Sequence, residues 1–205
     1  MRTRTRALLP ALAATALTLA LAPTGSASTP TSAPAAAPAP APASTLAPVS
    51  TPTPAPTADA TARRTITDGG KTYHLALTAP DTAAKAGANV TVSGTGYNTS
   101  QGIYVGLCAV DGAPGANKPT PCLGGQDQSG TTGASHWVSN VGGGTVPNSS
   151  RFGANGSFSV KIHVKADLGG GNVCGETVEC AIVTRADHFD SGDRKYDVHV
   201  PVTFQ

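Results

Sequence analysis

The feature that most constrains the fold is a strict alternation of apolar and polar residues in short segments. Residues 157–164 read SFSVKIHV, with Phe, Val, Ile and Val on one face and Ser, Lys and His on the other. Alternation of this kind over four to eight residues is typical of antiparallel strands with one buried face. Further segments with strand character are 73–77, 89–93, 103–110, 179–185 and 198–204.

Turn residues separate these segments, as at Asn155-Gly156. No window has the 3.6-residue periodicity of an amphipathic helix. About seven short strands in about 140 residues predict an all-β, immunoglobulin-like antiparallel β-sandwich. Pro201 lies inside the last segment and predicts an edge strand, because proline lacks the N–H that a central strand donates.

The first residues of the chain are typical of a secretory signal peptide. Residues 1–27 combine a basic start (MRTRTR), an apolar stretch and a small-residue end at Gly25-Ser26-Ala27. The apolar stretch is shorter than the roughly 20 residues of a spanning helix and contains Pro10, so no stable membrane span is expected after cleavage. The protein is therefore expected to be secreted, with association with the cell wall as an alternative.

Residues 28–64 are rich in Pro, Ala and Thr, which predicts a disordered linker of extended polyproline II character. The folded domain is predicted to span residues 65–205. Of the chain's 14 basic residues five precede residue 65, and of its 12 acidic residues one does. The domain is thus slightly acidic, and direct binding of nucleic acid is not expected, since that requires a clustered basic surface.

All four cysteines, Cys108, Cys122, Cys174 and Cys180, lie in the predicted domain. Four cysteines in an exported chain predict two disulfides, for which three connectivities exist. Pairing of sequence neighbours would enclose loops of 13 and 5 residues. The spacings lack the short C-x2-C pairs of a four-cysteine zinc site, so no metal is expected.

The order of motifs resembles the neocarzinostatin family of small secreted Ig-like sandwiches, some of which carry an enediyne antibiotic chromophore. The resemblance covers about residues 73–204, through VTVSGTGY, GIYVGLCAV, ANGSFSVKIHV, AIVTRADHF and VPVTF. It implies that Cys108 pairs with Cys122 and Cys174 with Cys180, and that the first disulfide forms part of a pocket floor. Residues 133–137 of this chain read GASHW, and related surface modules, some of which are associated with haem uptake, have a similar motif.

The candidate ligand-binding residues are mainly aromatic. Aromatic residues make up only 4% of the chain, so an aromatic residue in a loop is a candidate for ligand contact. Trp137 lies in a Gly-rich part of the 123–152 segment, which is predicted to be an extended loop with one short strand at 136–138. Tryptophan is enriched in binding hot spots, and the alternative is that it fills the core, as in Ig domains. Tyr104 and Phe152 are candidates for the same cleft.

Asp187 matches an acidic position of the family. The acidic stretch that starts at Asp187 and continues through Asp190, Asp193 and Asp197 has no EF-hand spacing and predicts a solvated turn. His163 and His199 are predicted to face solvent from their strands.

No catalytic constellation is present: the chain has no G-x-S-x-G, no H-E-x-x-H and no convincing pair of carboxylates. The sequence therefore predicts a secreted, monomeric module that is not an enzyme, has no cofactor and binds an apolar small molecule. An antibiotic chromophore is the specific version of this prediction. The alternative is a structural or adhesion-type surface module, with haem uptake as one of its settings.

Overall fold

The computed structural model describes residues 58–125 and 130–205. The predicted signal peptide and most of the predicted linker lie outside these residues. None of the described residues forms a helix long and apolar enough to cross a membrane. Apart from a 3-10 turn at Ala154–Gly156, the regular structure consists of strands. They are β1 Asp59–Asp68, β2 Lys71–Pro80, β3 Thr82–Ala83, β4 Ala88–Thr95, β5 Ile103–Ala109, β6 Ser135–Val138, β7 Ser149–Ser150, β8 Phe158–Val164, β9 Asp167–Gly169, β10 Asn172–Val173, β11 Cys180–Ala186, β12 Val198–Pro201 and β13 Thr203–Phe204.

Two main sheets form the body of the domain. One has the order β1-β2-β4-β8 and the other the order β12-β11-β5-β6-β7, while β9–β10 and β3–β13 form small two-stranded sheets. The core lies between the two main sheets, because both contribute apolar residues to one buried cluster. The predicted all-β sandwich is confirmed. Its fully buried large side chains include Leu77, Val92 and Ile162 from the first sheet and Ile103, Leu107 and Ile182 from the second.

The apolar–polar alternation in residues 157–164 gives β8 one buried face, as predicted. In β8 all the apolar side chains are buried, whereas Ser159 and Lys161 are exposed. The last segment differs from the single strand that was predicted. It divides at Val202 into β12, which pairs with β11, and β13, which pairs with β3 in another sheet. Pro201 is the last residue of β12, which is an edge strand of the five-stranded sheet, as predicted from the N–H that proline lacks.

The first strand corrects the predicted linker boundary. Residues 59–64, which composition assigned to the linker, belong to β1 and pair with β2 in an unbroken register from Asp59–Pro80 to Asp68–Lys71. Ala60 and Ala62 pack against the core. Their small side chains at alternate positions form a strand face, a pattern that an Ala- and Thr-rich composition conceals.

The two disulfides join Cys108 to Cys122 and Cys174 to Cys180, which is the pairing that the resemblance implied. The first connects β5 to the segment that follows it. The second connects the segment after β10 to the first residue of β11.

Candidate functional site

The candidate site lies on the side of the five-stranded sheet that points away from the core. Residues 103, 105 and 107 of β5 pack into the core. Because side chains alternate along a strand, Tyr104, Gly106 and Cys108 face the other way. The strand register places Arg185 of β11 on one side of Tyr104 and Trp137 of β6 on the other. We call this surface the outer face.

Four rings at one end of the outer face form an aromatic cluster, which consists of Tyr104, Trp137, His188 and Phe189. The ring centre of His188 lies 5.3 Å from that of Trp137 and 4.1 Å from that of Phe189. The Tyr104 hydroxyl is hydrogen bonded to His188 Nδ1 at 2.8 Å. Burial, assisted by the charge of Asp187, raises the pKa of Tyr104, so its hydroxyl keeps its proton at neutral pH.

Asp187 holds Trp137 in place. It follows the last residue of β11, and its backbone N–H donates to Gly102 O at 2.9 Å. Trp137 Nε1 donates to Asp187 Oδ2 at 3.0 Å, and the Phe189 N–H donates to Oδ1 at 3.1 Å. A Cβ on Gly102 would lie 1.9 Å from Asp187 Oδ2, so only glycine allows this approach. Trp137 is thus half-buried on the outer face instead of filling the core.

The burial of Asp187 and Asp197 corrects the prediction of a solvated turn. Asp187 is 1% exposed and Asp197 is completely buried. Asp197 Oδ2 forms an ion pair with Arg194 at 3.2 Å. Arg64 of β1 donates to the backbone oxygens of Arg194 at 2.8 Å and Asp197 at 2.7 Å. Both carboxylates therefore belong to the folded structure, because side chains from other parts of the chain cover them.

His199 is also buried, at 9% exposure, although its strand position predicted a solvent-facing side chain. It lies opposite Val183 in the register of β12 and β11, on the outer face. Val183 is itself buried in a small apolar cluster with Cys108 and Ala181. Alternation alone cannot show that both faces of this sheet are covered. Burial, assisted by the charge of Arg64, lowers the pKa of His199.

A cavity of about 190 Å³ adjoins the aromatic cluster on the side of Asp187. Two of its lining side chains, Val141 and Phe189, are the most exposed large apolar groups of the described residues, at 64% and 68%. Neighbouring exposed apolar groups at a concave surface are typical of contact sites. The lining residues are Ser100, Gln101, Gly102, Ser139, Val141, Asp187 and Phe189.

The depression next to the first disulfide offers far less space. Its volume is about 10 Å³, which is about the least that holds one water molecule. Cys108 and Cys122, the residues of the pocket floor that the resemblance predicts, line it together with Tyr104, but Trp137 does not. The open space of the outer face lies at the Asp187 end.

Phe152 is not brought to the aromatic cluster. Its ring centre lies 6.3 Å from that of Tyr97 and 6.5 Å from that of Phe158, and it packs against the main core. In contrast, Phe189 and Val141 line the candidate cavity although sequence analysis did not select them. The available signal was a single aromatic residue, Phe189, in an otherwise polar turn.

A serine and a histidine lie close together near the edge of the five-stranded sheet. His136 Nε2 and Ser150 Oγ are 3.0 Å apart, and burial lowers the pKa of His136. No contact of His136 with a carboxylate occurs among the described residues, so the third member of a catalytic triad is missing there. Within the same residues, no group of three or more His, Cys, Asp or Glu side chains is arranged to hold a metal ion.

The solved structure of macromomycin is similar to this chain. The two are 21% identical, the match covers 64% of this chain and 99% of macromomycin, and the TM-score is 0.39. At this TM-score the likeness assigns no ligand or activity to the chain. No family model matches the chain, and no curated protein matches it.

Proposed function

We propose that this chain is a secreted, non-enzymatic binding module that holds an apolar small molecule against the aromatic cluster. One observation carries the proposal. Phe189 and Val141, the most exposed large apolar side chains of the described residues, line the same cavity of about 190 Å³. Covering them would remove apolar surface from water, at about 25 cal/mol per Å² before the costs of association.

The site is supported by a rigid framework. Trp137 is held through its indole N–H by a buried carboxylate, and Tyr104 is hydrogen bonded to His188. The strands that bear Tyr104 and Trp137 are paired in the five-stranded sheet. Side chains that are ordered before binding lose less conformational entropy on binding, so such a surface favours affinity.

The disulfides support an extracellular location. Both bonds lie in the folded domain, and structural disulfides persist in oxidising compartments outside the cytosol. Together with the predicted signal peptide at residues 1–27, they lead us to propose secretion. The nearly filled depression beside Cys108–Cys122 favours the second candidate, a structural or adhesion-type surface module without a small ligand.

Fluorescence can separate the two candidates, because Trp137 is the sole tryptophan of the chain. The full chain would be titrated with dansylamide, a neutral bicyclic aromatic probe that accepts excitation energy from tryptophan. A binding module gives saturable energy transfer, and Phe189→Ala weakens it about tenfold, in the range for an aromatic contact residue.

The control is Val146→Ala, which truncates another exposed apolar side chain that does not line the cavity. It should bind the probe like the unchanged protein. Absence of saturable transfer, or equal affinity of Phe189→Ala and the unchanged protein, would refute the proposed site and favour the structural module.

A further inference from the structure

We infer that the cavity beside Asp187 takes an organic ammonium group, so that the ligand of the module is an aromatic or apolar amine. This inference rests on the proposed function, because it concerns the same cavity. It starts from the charge of Asp187 and the absence of a matching positive charge around it.

The Asp187 carboxylate is buried with neutral partners. Its hydrogen bonds come from the Trp137 indole, the Phe189 amide and the Gln101 side-chain amide, at 3.0, 3.1 and 3.4 Å. Each of these groups donates, and both carboxylate oxygens accept, which is the pattern of the ionised form. None of the ion pairs formed by the described residues includes Asp187. Burial of a charge without a counter-charge is unfavourable, so a cation at this position would be stabilised.

Residues 187–197 form the loop between β11 and β12, and four other aspartates lie in it or contact it. One of them, Asp190, is exposed to solvent, and the other three have cationic partners. Asp68 and Asp193 form ion pairs with Lys195, and Asp197 forms one with Arg194. Among these five aspartates, Asp187 is therefore the one that is buried without an ion-pair partner in the described residues, and it is the one that lines the cavity.

The cavity lining has the chemistry that an ammonium group requires. An ammonium donates hydrogen bonds and accepts none. Gln101 directs its amide nitrogen to Gly102 O and to Asp187, which leaves its carbonyl oxygen available as an acceptor. Phe189 supplies an exposed ring at the same cavity, and a ring face attracts a cation within about 6 Å. None of the described residues that line the cavity is a lysine or an arginine.

Three dansyl probes with one fluorophore and different charges test this inference on the full chain. Dansylamide is neutral, dansylcadaverine has a primary ammonium, and dansylglycine has a carboxylate. Energy transfer from Trp137 measures the affinity of each. We expect dansylcadaverine to bind at least tenfold more tightly than dansylamide, and dansylglycine to bind most weakly.

Asp187→Asn removes the charge and keeps an oxygen that can accept from Trp137 Nε1. In this variant the affinities for dansylcadaverine and dansylamide should become equal, whatever the change in the affinity for dansylamide itself. Asp190→Asn is the matched control, since this exposed aspartate of the same loop does not line the cavity, and it should retain the preference. Circular dichroism checks that the variants are folded. If Asp187→Asn does not fold, the relative affinities of the unchanged protein for the three probes still test the ammonium site.

The outcomes separate this inference from the proposed function. Equal affinity of the unchanged protein for dansylcadaverine and dansylamide, or a preference that survives in Asp187→Asn, would overturn the ammonium site and leave the apolar site standing. Tightest binding of dansylglycine would overturn it in favour of an anionic ligand. A lack of binding by all three probes would overturn both proposals.

Discussion

Two buried aspartates lie at the two ends of the loop that joins β11 to β12. Asp197 has Arg194 as a salt-bridge partner, and Arg64 binds the adjoining backbone. Within the described part of the chain, the hydrogen-bond donors to Asp187 are all neutral, and Asp187 lines a cavity. The comparison teaches that burial alone does not assign a role to a carboxylate. Arg194 pairs with one oxygen of Asp197, while its other oxygen, Oδ1, is buried without a hydrogen-bond partner among the described residues. The cation beside Asp187 would come from the ligand that we propose.

The Asp197 end also anchors the first strand. Lys195 Nζ lies 2.7 Å from Asp68 Oδ1, and Tyr196 donates its hydroxyl to Asp68 Oδ2 at 2.7 Å. Asp68 is the last residue of β1. One end of the loop is thus attached to β1, whereas Phe189 at the other end is held by the hydrogen bond from its N–H to Asp187.

The largest effect is expected at the scaffold end. Arg64→Ala removes two partly buried hydrogen bonds from a charged donor to backbone oxygens, each of the class worth about 1.5–3 kcal/mol. We expect the free energy of unfolding to fall by about 3 kcal/mol in urea denaturation. Arg63→Ala is the matched control, because this neighbouring side chain is exposed, and it should change stability by less than about 0.5 kcal/mol.

The result also tests where the domain begins. Equal stability of Arg64→Ala and Arg63→Ala would mean that residues 59–64 behave as linker and that the loop is not anchored by β1.

A smaller effect is expected where Gly102 meets Asp187. In Gly102→Ala the new methyl group would overlap Asp187 Oδ2, so the carboxylate must move away from Trp137 Nε1. We expect a loss of about 2 kcal/mol and a shift of the Trp137 emission maximum. Gly106→Ala in β5 is the control, since its Cβ would come no closer than 3.6 Å to any neighbour. Unchanged Trp137 emission in Gly102→Ala would show that Asp187 does not hold the indole.

The smallest effect is a pH dependence at the anchored end. The Lys195 ammonium, helped by the Tyr196 hydroxyl, lowers the pKa of Asp68 to about 2 from its ordinary value of 3.8. A carboxyl with a depressed pKa in the folded state stabilises the protein above the unfolded value and loses this contribution as the pH falls towards 2. Because Lys195 is 44% exposed, we expect about 1 kcal/mol rather than the full shift.

Asp68→Asn should therefore be less stable than the unchanged protein at pH 7 and equally stable near pH 2, as measured by urea denaturation at both values. Asp190→Asn, at an exposed position, should show no such difference. A stability gap for Asp68→Asn that is the same at both pH values would exclude the ion pair as its cause.

Much of the fold was predictable from local patterns. The alternation in β8 identifies its buried face without any knowledge of its partners, because the strand has one face in the core and one in water. The same reasoning was wrong for His199, whose strand is covered on both faces. It also missed β1, whose alanines and threonines give no apolar alternation.

The candidate site was predictable only in part. Trp137 was selected as a rare aromatic residue, and Asp187 because it matches an acidic position of the family that the sequence resembles. The structure joins the two through a hydrogen bond. Phe152 was selected on composition, but it packs against Tyr97 and Phe158. Phe189 gave no periodic signal because it lies in a turn, where side-chain direction follows from packing and not from strand geometry.

The amino-acid sequence by itself determined the all-β class, the approximate positions of the long strands and the presence of cysteines for two disulfides. These depend on properties of neighbouring residues. Tertiary structure alone decided that Arg64 belongs to the folded domain and binds the backbone beside Asp197, and that none of the ion pairs of the described residues includes Asp187. The physical reason is that a charge is stabilised or left uncompensated by groups distant in sequence, and only strand register and loop packing bring those groups together.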